Sequence, residues 1–222
     1  DLNNTVTVYY TMGIGRIGEI CERQNVSLSF SRGKIDEKNI VQSRRGNVYV
    51  VPSSLKLLDQ RSMESLEIKT ILRSAKGFDD ILIDTSPTWD NIVSGALMAA
   101  DLILSPVAFT EYNYNMSVCL LSKMQTVMPD HVKNLYFLFN HWSEQYSKSP
   151  SSLQNLVLSM YRKGLDNLLT AHLPDTRFMD RYTNLDEKCS VRSPYKGCAR
   201  LASGVNDLIN DIYDQKTIVE VF

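Results

Sequence analysis

Apolar, β-branched runs bounded by turn residues recur along the chain: Val48-Tyr49-Val50-Val51 before Pro52, Ile81-Leu82-Ile83 before Asp84, Leu102 to Val107, Leu135 to Phe139 and Leu168 to Leu173. Runs without polar alternation suit strands buried on both faces, and a strand is predicted at each. Between them apolar residues return at helical spacing, as Ile68, Ile71, Leu72 and Ala75, as Ile92, Val93, Ala96, Leu97 and Ala100, and as Leu153, Leu156, Val157, Met160 and Tyr161. Each set marks one face of a helix. A last helix is predicted through Leu201, Val205, Leu208, Ile209 and Ile212, and the polar stretch from Ser143 to Ser152 reads as a loop. Strands alternating with helices predict an α/β fold with a mostly parallel sheet flanked by helices.

Composition narrows this picture little. A chain of 222 residues, 43% hydrophobic and 22% charged, has the usage of one ordinary globular domain spanning residues 1–222, and disorder or a fibrous repeat is excluded. No apolar run approaches the ~20 residues of a membrane span. A net charge of −1 gives no overall attraction to nucleic acid, so such binding would have to come from a local patch. Cys21, Cys119, Cys189 and Cys198 form no Cys-x-x-Cys pair, and thiols of that spacing fit a reducing cytosol better than zinc or a disulfide framework. His131, His141 and His172 are too scattered to suggest a metal site or a triad. Tyr112, Tyr114 and Met116 are read as helix-packing residues.

The most informative stretch is Phe78-Asp79-Asp80-Ile81-Leu82-Ile83-Asp84-Thr85-Ser86-Pro87. An apolar strand ending in Asp can place a carboxylate beside magnesium and phosphate, although many α/β strands end in Asp only to cap a loop. Here a helix ending Ala99-Ala100-Asp101, the strand Leu102-Ile103-Leu104-Ser105-Pro106-Val107 and Glu111 follow. This order resembles the ParA/MinD ATPases, whose strand ending Asp-Thr-x-Pro precedes a helix ending Ala-Ala-Asp and a strand ending in Pro. Asp1-Leu2-Asn3-Asn4-Thr5-Val6-Thr7 is similar to the family's Asp-Pro-Gln-x-x-x-Thr segment, with Leu2 and Asn3 departing from it. Val50 to Ser54, Phe139-Asn140, Leu173-Pro174-Asp175 and Ala199 to Val205 resemble further family segments, so the likeness spans essentially the whole chain.

The resemblance implies a P-loop NTPase-like fold, incomplete at its start, with ATP and magnesium as cofactors. By the same likeness Asp84 would act on magnesium through water, Asp1 would position the attacking water, Asn140 would contact adenine, and Pro174 and Asp175 would close over the ring. Asp84 and Asp1 are expected near each other at the carboxyl ends of neighbouring strands, with Asn140 and Pro174 at the base end. The phosphate-binding loop itself, Gly-x-x-x-x-Gly-Lys-Ser/Thr, does not occur in the sequence. A fragment of an ordinary ATPase is the expectation, since losing a central strand would expose apolar edges. ATP hydrolysis is then expected of a full-length protein that carries the loop.

Gly13-Ile14-Gly15-Arg16-Ile17-Gly18 offers a rival, the fingerprint of an NAD(P)-binding oxidoreductase. Only Glu19 to Gln24 separate it from the strand-like run Val26 to Phe30, too few for a crossover helix. A third reading is a catalytically inactive ParA-like scaffold. Between Arg177 and Arg200 lie six basic residues, Arg177, Arg181, Lys188, Arg192, Lys196 and Arg200, against Asp180, Asp186 and Glu187. Such a cluster is often a solvated face, but in ParA proteins this region binds DNA without sequence preference, which would assign that role to Arg177, Arg181, Arg192 and Arg200. The tail from Gln215 to Phe222 is short and carries one Lys, so no membrane helix is expected. The partners implied are a second copy of the chain, a ParB-like centromere-binding protein and DNA, in the cytoplasm and on the nucleoid when ATP is bound.

Overall fold

A computed structural model describes residues 22–43, 47–175 and 196–214, with side chains in the last stretch from residue 199 onward. They belong to two compact units, one ending at Asp101 and the other beginning at Leu102. Asp1, the glycines Gly13, Gly15 and Gly18, and Arg177, Arg181 and Arg192 lie outside the described residues.

The first unit opens with helix α1, Val26–Arg32. This run was expected to be strand-like, and local capping explains the difference. Asn25 accepts a hydrogen bond from the Leu28 N–H, and Gly33 ends the helix at φ 76°, a left-handed turn suited to glycine. A helix here removes the second strand that the dinucleotide reading of Gly13, Gly15 and Gly18 requires. Strands β1, Val41–Gln42, and β2, Tyr49–Val50, pair antiparallel, with Val41 opposite Val50. The predicted strand at Val48 to Val51 is therefore shorter than expected and half exposed, with Tyr49 44% accessible.

Helices α2, Ser65–Leu72, and α3, Asn91–Ala99, pack closely; Ile68, Ile71, Val93 and Ala96 are buried as predicted, whereas Ala75 and Ala100 fall outside the helices and Ser94, Gly95 and Ala99 join the buried face. Asp90 caps α3 by accepting the Val93 N–H at 2.9 Å. Phe30, Leu57, Ile68 and Ile71 form the unit's core, each stabilising it by about 1.5–3 kcal/mol relative to exposure. Residues 81–84 form no strand, and Leu82 is 96% exposed. The strand predicted there is a correction: a two-sided apolar strand needs neighbours on both edges, and no described strand pairs with it.

In the second unit β3, Ile103–Val107, β4, Leu135–Trp142, and β5, Leu168–Pro174, form a parallel sheet in that order. Ile103 faces Leu135, Phe139 faces His172, and Trp142 faces Pro174. The connections run through α4, Glu111–Val127, then a short helix α5, Glu144–Ser147, and α6, Leu153–Gly164. α5 falls inside the stretch expected to be loop. Tyr161 of α6 lies against Phe137 and Phe139 of β4, and its hydroxyl meets Ser117 of α4 at 2.8 Å. Burial pushes the Tyr161 phenol above its usual range. Of the α4 residues read as packing, Tyr114 meets Tyr161 edge-on, whereas Tyr112 and Met116 are exposed. Helix α7, Lys196–Asp214, carries the last predicted periodicity and lies along β5, where the buried Asp211 accepts from Thr170 Oγ1 and the Ala171 N–H. The α/β class with a parallel sheet flanked by helices is as the pattern predicted.

Candidate functional site

Side by side in a parallel sheet, β4 and β5 end on the same edge, where open α/β sheets place their ligands. β4 runs three residues past the expected Phe139, through Asn140, His141 and Trp142. Asn140 Oδ1 accepts the N–H of His141 at 2.9 Å, and His141 has a φ of 59°. A left-handed non-glycine residue costs about 1 kcal/mol or more and concentrates at functional edges, with His among the tolerated types. The Asp175 N–H donates to the Trp142 carbonyl at 2.8 Å, and the Asp175 carboxylate lies 3.5 Å from His141 Nδ1. Both side chains of that pair are 67% exposed, so it tethers weakly.

A cavity of about 400 Å³ opens beside these strand ends. Trp142, His172, Pro174 and Asp175 form its strand side, and Glu144 stands at the start of α5. Arg200, Ser203, Gly204 and Asp207 close it from α7, one face of a helix at spacings of three, four and seven. Gly204 matters because a Cβ there would stand 3.0 Å from both the His172 carbonyl oxygen and Pro174 Cδ. Its absence lets α7 approach β5. Burial lowers the His172 pKa from its ordinary value of 6.5, with Glu144 and Asp207 pulling the other way. Three carboxylates and one guanidinium line the cavity.

Pro174, Asp175 and Arg200, assigned to two different roles from the sequence, therefore share one cavity. Asn140 lies two residues before the end of β4 and is not among the residues that line the cavity. Asp84 belongs to the other unit, where it is exposed and lines a largely apolar cavity of about 450 Å³ together with Arg61 and Asp90. Arg61 and Asp90 are paired there at 3.0 Å. Trp142, Glu144, His172 and Asp207 were not singled out from the sequence as site residues. Of the α7 residues, Arg200 alone was singled out in the sequence, and Ser203, Gly204 and Asp207 flank the Leu201, Val205, Leu208 and Ile212 stripe.

A planar base fits the cavity between β5 and α7: it is roomy, partly aromatic and rich in hydrogen-bond acceptors. Among the described residues no group of three or more His, Cys, Asp or Glu could hold a metal ion, and Asp84 offers the single carboxylate that a magnesium shell completed by water and phosphate oxygens would use. Nor is any described helix long and apolar enough to cross a membrane.

Parallel strands with helical crossovers and a polar cavity at their carboxyl edge define an open α/β protein with a cavity where such sheets bind their ligands. The chain matches the AAA_31 family model, an AAA domain, over residues 6–137, more than half its length, and it belongs to this ParA/MinD-type family. No curated protein matches it. Among solved structures it is similar to a plasmid partition protein from Borrelia burgdorferi B31 bound to AMPPNP, with a TM-score of 0.70 and 15% identity over 96% of this chain and 84% of that one. A second plasmid partition protein from Borrelia burgdorferi gives a TM-score of 0.63 and 17% identity, covering 83% of this chain and 79% of that one. At these identities the likeness is one of fold.

Proposed function

We propose that this chain is a ParA-like partition protein, a nucleotide switch that dimerises on ATP, binds DNA without sequence preference and works with a ParB-like centromere-binding partner to segregate a plasmid or chromosome. Residues 1–222 are proposed to act as one nucleotide-binding domain, located in the cytoplasm, on the nucleoid when ATP is bound, and not on membranes. The observation that carries the reading is the cavity at the ends of β4 and β5, where Pro174 and Asp175 stand at the edge expected for the base. The family and the fold support it, and one of the similar structures holds AMPPNP. ATP would bring its magnesium on its own phosphates, and Asp1 is proposed to align the attacking water in a protein that also carries the phosphate loop.

Calorimetric titration of the chain with ATP and with NADPH tests the reading. Because the phosphate loop is absent from the 222 residues, binding through the base end should fall in the millimolar range, about 4 kcal/mol. ATP should bind saturably and NADPH no better than its adenine half explains. Failure of ATP to bind leaves the inactive scaffold as the standing account.

A further inference from the structure

We infer that Arg61 is a positioning residue for the segment from Asp84 to Trp89: its ion pair with Asp90 clasps the carboxyl end of that segment to the start of α3. The clasp stands on contacts of the first unit alone, and its use in chemistry rests on the nucleotide reading of Asp84.

Asp90 is held from two sides. Its Oδ1 accepts the Val93 N–H at 2.9 Å and caps α3, while its Oδ2 meets Arg61 Nε at 3.0 Å. The Asp90 side chain is 17% accessible, so solvent screens this pair less than a fully exposed one. Arg61 stands on a support of its own. It follows a 3₁₀ helix, Leu55–Gln60, and its N–H donates to the Leu58 carbonyl at 3.5 Å. Gln60 Nε2 donates to the Ser27 carbonyl and to Ser31 Oγ, each at 3.0 Å, which ties that helix to α1. Contacts therefore run from α1 through Gln60 and Arg61 to Asp90 and α3.

Ahead of Asp90 the chain has little else to hold it. Among the described residues, the hydrogen bonds of residues 81–88 amount to one, from Ser86 Oγ to the Thr88 carbonyl at 3.4 Å, inside the segment itself. Only Thr85 to Trp89 separate Asp84 from Asp90, and Arg61, Asp84, Ser86 and Asp90 line one cavity. Fixing Asp90 thus shortens the tether on which the Asp84 carboxylate moves. Asparagine would cap α3 as well as aspartate does. What the carboxylate adds is a charge, and Arg61 is the cation that meets it.

The sequence holds two tryptophans, so in a Trp142→Phe background Trp89, next to Asp90, reports alone. Arg61→Ala should raise acrylamide quenching of Trp89 about twofold and speed hydrogen exchange at the Val93 N–H about threefold, with exchange at Ile71 in α2 unchanged. Arg61→Lys, which keeps the charge, should restore most of both. Asp90→Asn keeps the cap and should match Arg61→Ala, and the double variant should be no worse than Asp90→Asn alone, which separates the pair from the charge's interaction with the helix dipole. Quenching and exchange that stay at parent values in Arg61→Ala, or effects that add in the double variant, overturn the clasp. A parent chain that fails to bind ATP removes the use of Asp84 and not the clasp, whose readouts need no ligand.

Discussion

Asp211, only 7% exposed, accepts from both Thr170 Oγ1 and the Ala171 N–H and so pins α7 to β5 behind the cavity. Asp211→Ala leaves two donors without an acceptor and should cost about 1–3 kcal/mol in urea denaturation, with Asp211→Asn costing less because its amide oxygen still accepts. Gly95 in α3 sets two effects against each other. Alanine would gain about 1 kcal/mol of helix propensity, but its Cβ would meet Ile68 Cγ2 at 2.5 Å and the Ser65 carbonyl at 2.8 Å. Backbone cannot yield as a flexible side-chain end can, so overpacking wins and Gly95→Ala should lower the melting temperature, a loss of about 1–2 kcal/mol. His172 supplies a pH dependence. Its folded pKa lies below 6.5, so below that pH the unfolded chain binds a proton that the folded chain refuses, and stability falls as pH drops. Between about pH 7.5 and 5.5 the urea midpoint of His172→Gln should decline less than that of the parent. None of these three roles was legible from sequence, because each depends on which atom lies across a contact.

Individual elements were read with unequal success, and the reasons are local. β3, β4 and β5 appear where their apolar runs predicted, because each run has a partner strand and helices to cover it. Val26 to Phe30 has the composition of a strand, yet Asn25 and Gly33 supply both caps and make it a helix. Residues 81–84 have the composition of a buried strand and no partner among the described residues. With Leu82 96% exposed, Leu82→Ala should shift stability by less than about 0.5 kcal/mol, against about 2–5 kcal/mol for a buried strand leucine. A loss in the larger range in denaturant titration would mean that the segment is covered in solution.

Across the whole molecule, the proposed partition function requires a nearly neutral chain to hold DNA. Arg200 is exposed on α7 beside the cavity, within a sequence region of six basic residues. A dimer doubles any such patch and adds the counterion release of both copies. Titration of unrelated duplexes should therefore show binding that needs ATP and falls steeply with salt, and that the Arg181→Ala/Arg200→Ala variant weakens about tenfold or more. Equal binding by both proteins, or no response to ATP, would reduce the patch to a solvated face.

At the same scale, the sequence by itself determined the class of fold, since apolar runs and helical stripes are each fixed by a face that must be buried. The order of short motifs around Asp84, Asn140 and Pro174 also determined the family. Only the tertiary structure decided that Pro174, Asp175 and Arg200 line one cavity with Trp142, His172 and Asp207. Those residues are far apart in sequence and converge because strands parallel in a sheet end together, while Gly204 lets α7 close over their ends. Periodicity records which way a side chain faces along its own element, but a site is made by the neighbours of that element, and these are set by packing.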